Sequence, residues 1–113
     1  MEKRKLYLAR FTDKKSGNVY YKIGYCYQYN AALRFEKSPD QYNDFVIKII
    51  TSAWGPEEDV RKWEDIILRA KPKNFWLEQK FSGITELRIY NDEEIGEVMK
   101  IFKHLRGVWG KKQ

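Results

Sequence analysis

The first hydrophobic pattern along the chain has a period of two residues, which is typical of a β-strand with two distinct faces. Residues 6–11 alternate in this way, and residues 19–24 alternate again after a polar segment, residues 12–17, that ends in a glycine. Two alternating runs around such a turn predict a β-hairpin.

The turn length decides which side chains face each other across this hairpin. If Phe11 lies opposite Asn18, then Tyr7 lies opposite Lys22 on one face of the sheet. A bulge in the loop would give a different pairing. We take the first register as an assumption.

The next two segments predict a short helix and a covered strand. Residues 30–37 carry strong helix formers and end before Pro39, so Arg34 is expected on a short helix. Residues 44–52 are apolar on both sides, which predicts a strand that is central or covered on both faces. The Trp-Gly pair at 54–55 is expected to end it.

A second, longer helix is predicted between two prolines. Pro56 lies in its first turn, the acidic residues 57–59 follow near the positive end of the helix dipole, and Pro72 ends it. Glu64 falls at the edge of its apolar side, which places a carboxylate beside buried residues. That apolar side is expected to contain Val60, Trp63, Ile66, Ile67 and Ala70.

The last part of the chain predicts a further strand and a packing helix. Residues 84–90 alternate as a strand. Asn91 begins an Asn-x-x-Glu sequence that resembles a capping box, and apolar residues at helical spacing extend the helix over 92–106. The residues after it are expected to fray, with Trp109 exposed and available for stacking on a base or a partner.

These elements predict an α+β fold with a small antiparallel or mixed, three-stranded central sheet flanked by helices. The chain shows no internal repeat, low-complexity tract or linker. We therefore expect one domain over residues 1–113, with a core of about residues 4–90 and the C-terminal helix packed against it.

Composition narrows the class of protein. The 113 residues include 22 Lys and Arg against 16 Asp and Glu, a net charge of +6, and no apolar run approaches the roughly 20 residues of a membrane helix. Cys26 is the only cysteine and His104 the only histidine, which excludes an internal disulfide and a zinc site of the usual four ligands. We expect a cytoplasmic protein, because a single cysteine favours a reducing setting, with no membrane partner.

The positive charge is uneven along the chain. Residues 1–40 hold nine Lys and Arg against four Asp and Glu, a net +5, whereas residues 41–70 hold four against six, a net −2. A basic, aromatic-rich segment favours contact with nucleic acid, although +6 alone is common in proteins that bind none.

Several familiar catalytic patterns are absent, since the sequence has no Gly-rich phosphate loop and no His/Cys metal cluster. A different ordered set remains, and it resembles the GIY-YIG nuclease domain, in particular a small phage-associated branch with a Tyr-Lys-Ile-Gly second motif. The segments that carry the resemblance are Lys5-Leu6-Tyr7, Tyr21-Lys22-Ile23-Gly24, Arg34, Glu64, Phe75-Trp76-Leu77-Glu78 and Ser82-Gly83-Ile84-Thr85-Glu86-Leu87.

This resemblance implies a metal-dependent phosphodiesterase of a bacterium or a phage-infected host cell. Tyr7 matches the tyrosine of the first motif, Lys22 stands where the second motif usually has a tyrosine, and Tyr21 precedes it in that motif. Arg34 matches the helix arginine and Glu64 the metal-binding glutamate. The further site residues taken from the resemblance, as contacts to nucleic acid, are Tyr20, Tyr42 and Asn74.

The sequence also departs from the family pattern. Lys5 and Leu6 replace the usual glycine and isoleucine of the first motif, and Tyr42 is only a stand-in for the residue that often follows the arginine.

The residue types suit phosphodiester hydrolysis. Glu64 would hold one Mg²⁺ or Mn²⁺, and Arg34 offers a planar fork for phosphate, where a lysine offers a point charge. Tyr7, with an ordinary pKa of about 10, takes a proton from water only if its neighbours lower that pKa. Lys22 either lowers the pKa of Tyr7 or contacts the phosphate itself.

Two functions follow. The first is a DNA endonuclease, with RNA not excluded as a substrate and with a homodimer or a recognition partner supplying specificity. The second is a nucleic-acid-binding or phage regulatory protein that keeps the fold without catalysis. Each residue also has a structural alternative: Tyr7 as a half-buried strand tyrosine, and Glu64 in an ion pair with Arg34.

Overall fold

The computed structural model describes residues 2–27, 29–36, 42–71 and 87–110. They form a four-stranded antiparallel sheet with two long helices and one helical turn, which confirms the predicted α+β class. In chain order the elements are β1 (Lys3–Asp13), β2 (Val19–Cys26), α1 (Leu33–Glu36), β3 (Phe45–Pro56), α2 (Glu57–Ala70), β4 (Leu87–Arg88) and α3 (Asp92–Trp109).

The sheet order is β3-β1-β2-β4, so the first strand lies at its centre. The fourth strand, which was not expected as part of the central sheet, is a two-residue element inside the segment predicted as a strand over 84–90. All three pairings are antiparallel. A central β1 explains why residues 4–9 are buried without interruption, since this strand is covered on both faces and both edges.

The predicted hairpin is present, but its register is two residues longer than expected. Tyr7 lies opposite Gly24, and Lys22 lies opposite Ala9. The cause is the turn, in which the Asp13 amide donates to the Asn18 carbonyl at 2.8 Å, so four residues lie between this pair. A shift of two keeps each side chain on the same face, so Tyr7 and Lys22 are diagonal neighbours instead of the directly opposite pair that was predicted.

The third strand is an edge strand with mostly exposed or half-buried residues, so the prediction of a central or doubly covered strand is wrong, and it runs further than the sequence suggested. It continues through the Trp-Gly pair to Pro56, because β1 pairs with it along its whole length with one irregularity between Leu8 and Ala9. Pro56 is consequently the N-cap residue of α2, not a residue of its first turn. Three acidic residues follow in that first turn, where the helix dipole favours negative charge.

The two sheet faces carry separate hydrophobic clusters. Helix α1 covers one, the α1 face, and α2 with α3 cover the other, the α2/α3 face. The α1 face is built on Tyr7, Ala9, Phe11, Tyr20, Cys26, Ala31, Phe35, Tyr42, Phe45 and Leu87. The α2/α3 face is built on Leu6, Leu8, Ile23, Ala53, Val60, Ile67, Val98, Phe102 and Leu105.

The apolar side of α2 is narrower than predicted. Val60 and Ile67 are buried and Trp63 is half-buried, but Ile66 and Ala70 are exposed because they lie on the flank that turns away from the sheet. Helix α3 begins at the predicted capping box on Asn91 and continues past residue 106 to Trp109. Trp109 was expected to be exposed; instead it packs against the α2/α3 cluster and over Gly55.

Within the described residues, none of the helices is long and apolar enough to cross a membrane. The predicted apolar segment over residues 75–78 and the start of the strand predicted over 84–90 lie outside the described residues, as does the end of the first predicted helix.

Candidate functional site

Two hydrogen-bonded side chains, Tyr7 and Lys22, lie near the centre of the α1 face. Lys22 Nζ donates to the Tyr7 hydroxyl at 3.0 Å and lies 5.2 Å from the centre of the Tyr7 ring. Tyr7 is 0% exposed and Lys22 is 2% exposed. A buried ammonium is stable only where acceptors surround it. Lys22 and Tyr7 therefore form a polar pair inside an otherwise aromatic and aliphatic cluster.

Gly24 provides the space for this arrangement. It lies opposite Tyr7 in the β1–β2 ladder and two residues from Lys22, on the same face. A methyl group on its Cα would lie 2.6 Å from the Tyr7 hydroxyl oxygen and 2.7 Å from Lys22 Nζ. The glycine of the second motif is therefore required by the close approach of these two polar groups to the strand backbone.

Helix α1 closes the other side of the tyrosine. The Phe35 ring meets the Tyr7 ring edge to face, with centroids 5.6 Å apart and planes at 87°. Arg34 precedes Phe35 in α1, so its backbone lies in the element that covers Tyr7. The Arg34 side chain lies outside the described residues, and the predicted contact with phosphate stays a prediction.

Glu64 lies half-buried in the middle of α2. Its helix packs through Val60 and Ile67 on the α2/α3 face, whereas Tyr7 and Lys22 belong to the α1 face. The described contacts thus join Tyr7 with Lys22, and they place Glu64 on an element of the opposite layer. Its predicted role as a metal ligand stays a prediction.

The remaining predicted site residues separate in space. Tyr21 lies half-buried on the α2/α3 face, with its ring 6.0 Å from that of Tyr90, because neighbouring strand residues point to opposite faces. Tyr20 and Tyr42 are buried in the core of the α1 face, so neither presents an open ring to a nucleic acid. Asn74 lies outside the described residues.

A group of residues that were not predicted as site residues lies where β1 begins and β2 ends. We call it the tyrosine end, and it comprises Arg4, Lys5, Tyr27, Tyr29 and Trp54. The Arg4 guanidinium carbon lies 3.9 Å from the Tyr27 ring centre, and Lys5 Nζ lies 4.0 Å from the Tyr29 ring centre. The Tyr29 and Trp54 rings meet nearly edge to face at 5.4 Å.

The charges at the tyrosine end are buried although the tyrosines are not. Arg4 is 8% exposed and Lys5 6%, whereas Tyr27 is 71% and Tyr29 57% exposed. Burial lowers the pKa of the Lys5 ammonium below its ordinary value. The sequence contained a usable signal, since the aromatic residues at 25, 27 and 29 continue the period of β2 beyond its end.

Arg88 is a further buried cation that the sequence did not indicate. Its Nε donates to the Lys71 carbonyl at 2.5 Å and its Nη1 to the Leu87 carbonyl at 2.8 Å. Since Lys71 is the C-cap of α2, this arginine satisfies a carbonyl at the helix end and joins it to β4.

The described residues contain no group of three or more His, Cys, Asp or Glu side chains placed to hold a metal ion. A site that relies on one carboxylate suits a hard cation that keeps most of its waters, as Mg²⁺ commonly does beside a substrate phosphate.

Comparison of the chain with protein-family models, with curated proteins and with solved structures gives no match.

Proposed function

We propose that this protein is a divalent-metal-dependent DNA endonuclease with a GIY-YIG-type site. The observation that supports this best is the buried hydrogen bond from Lys22 Nζ to the Tyr7 hydroxyl over Gly24. All three residues belong to the two motifs that resemble that family. Residues of both motifs therefore meet at one buried polar contact, and neither composition nor core packing requires such a contact.

The chemistry assigned to this pair is proton transfer. Hydrolysis of a phosphodiester needs a deprotonated water and stabilisation of charge on the phosphoryl oxygens. An ammonium that donates to the phenol oxygen favours the phenolate form of Tyr7, which then accepts the proton of the attacking water. Lys22 keeps its own three protons during this step and acts by charge and position.

Arg34 and Glu64 complete the proposal. Arg34 lies on α1, the helix that covers Tyr7, and its fork would pair with the phosphate oxygens. The half-buried Glu64 would be the protein ligand of one Mg²⁺ or Mn²⁺. When bound, such an ion supplies charge stabilisation for the phosphate and its leaving oxygen.

One observation favours a second function, a nucleic-acid-binding protein without catalysis. Tyr7 is 0% exposed, so a substrate reaches its hydroxyl only if part of the cover over the α1 face moves. A protein that has lost catalysis would keep the same pair as a polar element of its core. Activity measurements separate these two functions directly.

A plasmid nicking assay with Mg²⁺ or Mn²⁺ tests the proposal. We expect nicked product with either metal, none in EDTA, and a loss of at least about a hundredfold in rate for Lys22→Met. Glu64→Ala and Arg34→Ala should lose activity to a similar extent. Lys62→Met is the matched control, because Lys62 is an exposed lysine of α2, and it should cleave like the parent protein.

Two results would exclude the nuclease. One is the absence of nicking with both metals by the folded parent protein. The other is unchanged nicking by the variants at positions 64 and 34. The first result would favour the second function, nucleic-acid binding without catalysis, provided that the protein still retards DNA in a gel-shift assay.

A further inference from the structure

Three cations lie at the part of the α2/α3 face that the long helices leave open. Arg10 follows Leu8 on this face of β1, and the exposed Lys48 lies directly opposite Arg10 on β3. Val46, two residues away on the same face of β3, is 57% exposed, so this end of the face is open to solvent. We call these two cations and Arg106 of α3 the basic patch, and we propose that it binds the phosphate backbone of a nucleic acid duplex.

Arg106 is held on the same face by the edge strand. Its Nη1 donates to the Thr51 hydroxyl and, at 3.4 Å, to the Ser52 carbonyl. Thr51 pairs with Leu8, two residues before Arg10 on β1, so the guanidinium is anchored about 7 Å along the sheet from the other two cations. Both bonds come from Nη1. A guanidinium has five N–H donors, so Nε and Nη2 are left for the oxygens of a ligand.

The charges of the basic patch are not neutralised by carboxylates. Within the part of the chain that the structure describes, Arg10, Lys48 and Arg106 form no ion pair. Arg10 and Lys48 are moreover like charges placed directly opposite each other on neighbouring strands, which is destabilising. An anion bound between them would relieve this repulsion, and the local arrangement of the charges therefore indicates an anionic ligand.

The chemistry of the basic patch favours phosphate groups in a repeating chain. Its two guanidiniums present planar forks that match phosphate oxygens, and one ligand reaches all three cations only if it carries several anionic groups. A nucleic acid duplex carries about one negative charge per 1.7 Å of its axis, which is twice the density of one strand. Contacts of this kind depend on salt and do not read the base sequence.

This inference rests on the proposed function for the choice of nucleic acid among polyanions, and it adds a second contact surface. The basic patch and the Tyr7 side chain lie on opposite faces of the sheet. Phosphates bound by the patch are therefore not the one that is cleaved at Tyr7. The patch contributes to affinity for the substrate outside the cleaved step.

Binding can be measured without cleavage by fluorescence anisotropy in EDTA. The probe is a fluorescein-labelled duplex of about 20 base pairs, titrated from about 50 to 300 mM KCl. We expect Arg10→Gln with Lys48→Gln to weaken binding at least about tenfold at the lowest salt. The slope of log K against log salt should fall by about two, since each phosphate contact contributes about 0.9. Arg106→Gln alone should lower it by about one.

The matched control removes the same two charges elsewhere. Arg61→Gln with Lys62→Gln changes exposed residues of α2, and it should keep the affinity within about threefold and the slope unchanged. Arg10→Lys with Lys48→Arg keeps both charges and should bind within about threefold of the parent protein. The double glutamine variant should melt no lower than the parent protein, because the repulsion between strands is removed.

An unchanged affinity and salt slope in the double glutamine variant would overturn the inference, and so would an equal loss in the α2 control. Loss of binding to phosphatidylserine vesicles with duplex binding unchanged would assign the basic patch to an anionic membrane and would also overturn it. Patch-dependent duplex binding by a protein that nicks plasmid with neither metal would instead count against the nuclease alone.

Discussion

Gly24 lies in a crowded environment on the α1 face. Its Cα lies beneath both the Tyr7 hydroxyl and Lys22 Nζ, so a side chain at this position competes with the polar pair for the same space. Neither neighbour can yield easily, because both are almost fully buried. The requirement for glycine here is steric, and it follows from the pair and not from the backbone conformation.

Gly24→Ala is expected to separate Tyr7 from Lys22 and to destabilise the fold by about 1–3 kcal/mol, as overpacking of a filled core does. Nicking should fall with it. The measurement is the free energy of unfolding in denaturant, together with the nicking rate. Gly96→Ala is the control, because Gly96 lies in α3 with no heavy atom within 4 Å of an added Cβ.

That control should be stabilised by up to about 1 kcal/mol, as expected for alanine in a helix interior. Equal free energies of unfolding for the parent protein and Gly24→Ala would contradict the prediction, because they would show that Tyr7 and Lys22 can move away from residue 24 without loss of stability.

At the residue scale the sequence predicted that Tyr7 and Lys22 lie together, but it did not predict how deeply the candidate site side chains are buried. Tyr7 and Lys22 share a face in any register shifted by two residues, so their association was predictable from the period of the strands. Burial of Tyr20 and Tyr42 was not predictable, because a strand pattern alone does not show which face a four-residue helix will cover. The aromatic continuation of β2 was visible, but nothing in the sequence indicated that cations would lie beneath it.

The geometry of the β1–β2 turn depends on Asp13 and Gly17. The Asp13 carboxylate accepts hydrogen bonds from the amides of Lys15 and Ser16 at 2.8 and 3.1 Å, and these bonds lower its pKa. Gly17 has a φ of 76°, in the left-handed region. The turn thus has a fixed length, and it is the reason that the register is two residues longer than the simplest prediction.

Gly17→Ala should cost about 1 kcal/mol in unfolding free energy, since an alanine in this conformation is strained although no atom lies within 4 Å of its Cβ. Gly17→Asn should cost less, because asparagine tolerates left-handed geometry. Chemical denaturation of the three proteins gives the comparison. A larger loss for asparagine than for alanine would contradict the conformational explanation.

The first turn of α3 combines a cap with an ion pair. The Asn91 amide donates to Glu94 Oε1 at 2.9 Å, and Lys71 Nζ donates to the same carboxylate at 2.7 Å. These two bonds, the amide first, lower the pKa of Glu94. Since Lys71 follows α2, the cap also joins the two long helices, and the sequence predicted the cap but not this partner.

Glu94→Gln should therefore reduce the thermal midpoint at neutral pH, because glutamine can accept from the Asn91 amide but loses the charge beside Lys71. A carboxylate with a lowered folded pKa stabilises above its unfolded pKa of about 4.3, and this contribution is lost as the pH falls through the folded value. The two midpoints should converge below that value. Melting curves from about pH 3 to pH 7 give the test.

Glu97→Gln is the matched control for this prediction. Its ion pair with Lys100 is exposed on both sides at 3.4 Å, so the substitution should change the midpoint little at any pH. A gap between the parent protein and Glu94→Gln that persists undiminished at about pH 3 would assign the effect to packing and not to charge.

For the whole molecule, the central position of β1 connects two cores, and among the described residues no buried side chain belongs to both. Leu6 and Leu8 belong to the α2/α3 face, and Tyr7 and Phe11 belong to the α1 face of the same strand. The alternation of β1 predicted two faces. Which face each helix covers depends on connections and tertiary packing. The sequence therefore assigned Glu64 and Tyr7 to one candidate site, whereas Glu64 lies on α2, which covers the sheet face opposite to the one that carries the Tyr7 side chain.

Because one strand carries both cores, damage to either face should destabilise the same cooperative unit. Phe11→Ala on the α1 face and Phe102→Ala on the α2/α3 face each remove a fully buried ring, at a cost of about 3–5 kcal/mol. Each variant should show one transition at a lower temperature, coincident in far-ultraviolet ellipticity and in tryptophan fluorescence. Met99→Ala, exposed on α3, should stay within about 0.5 kcal/mol of the parent protein. If Phe102→Ala melted in two steps, with the second at the parent temperature, the α1 face would fold without the helical layer, and β1 would not couple the two cores.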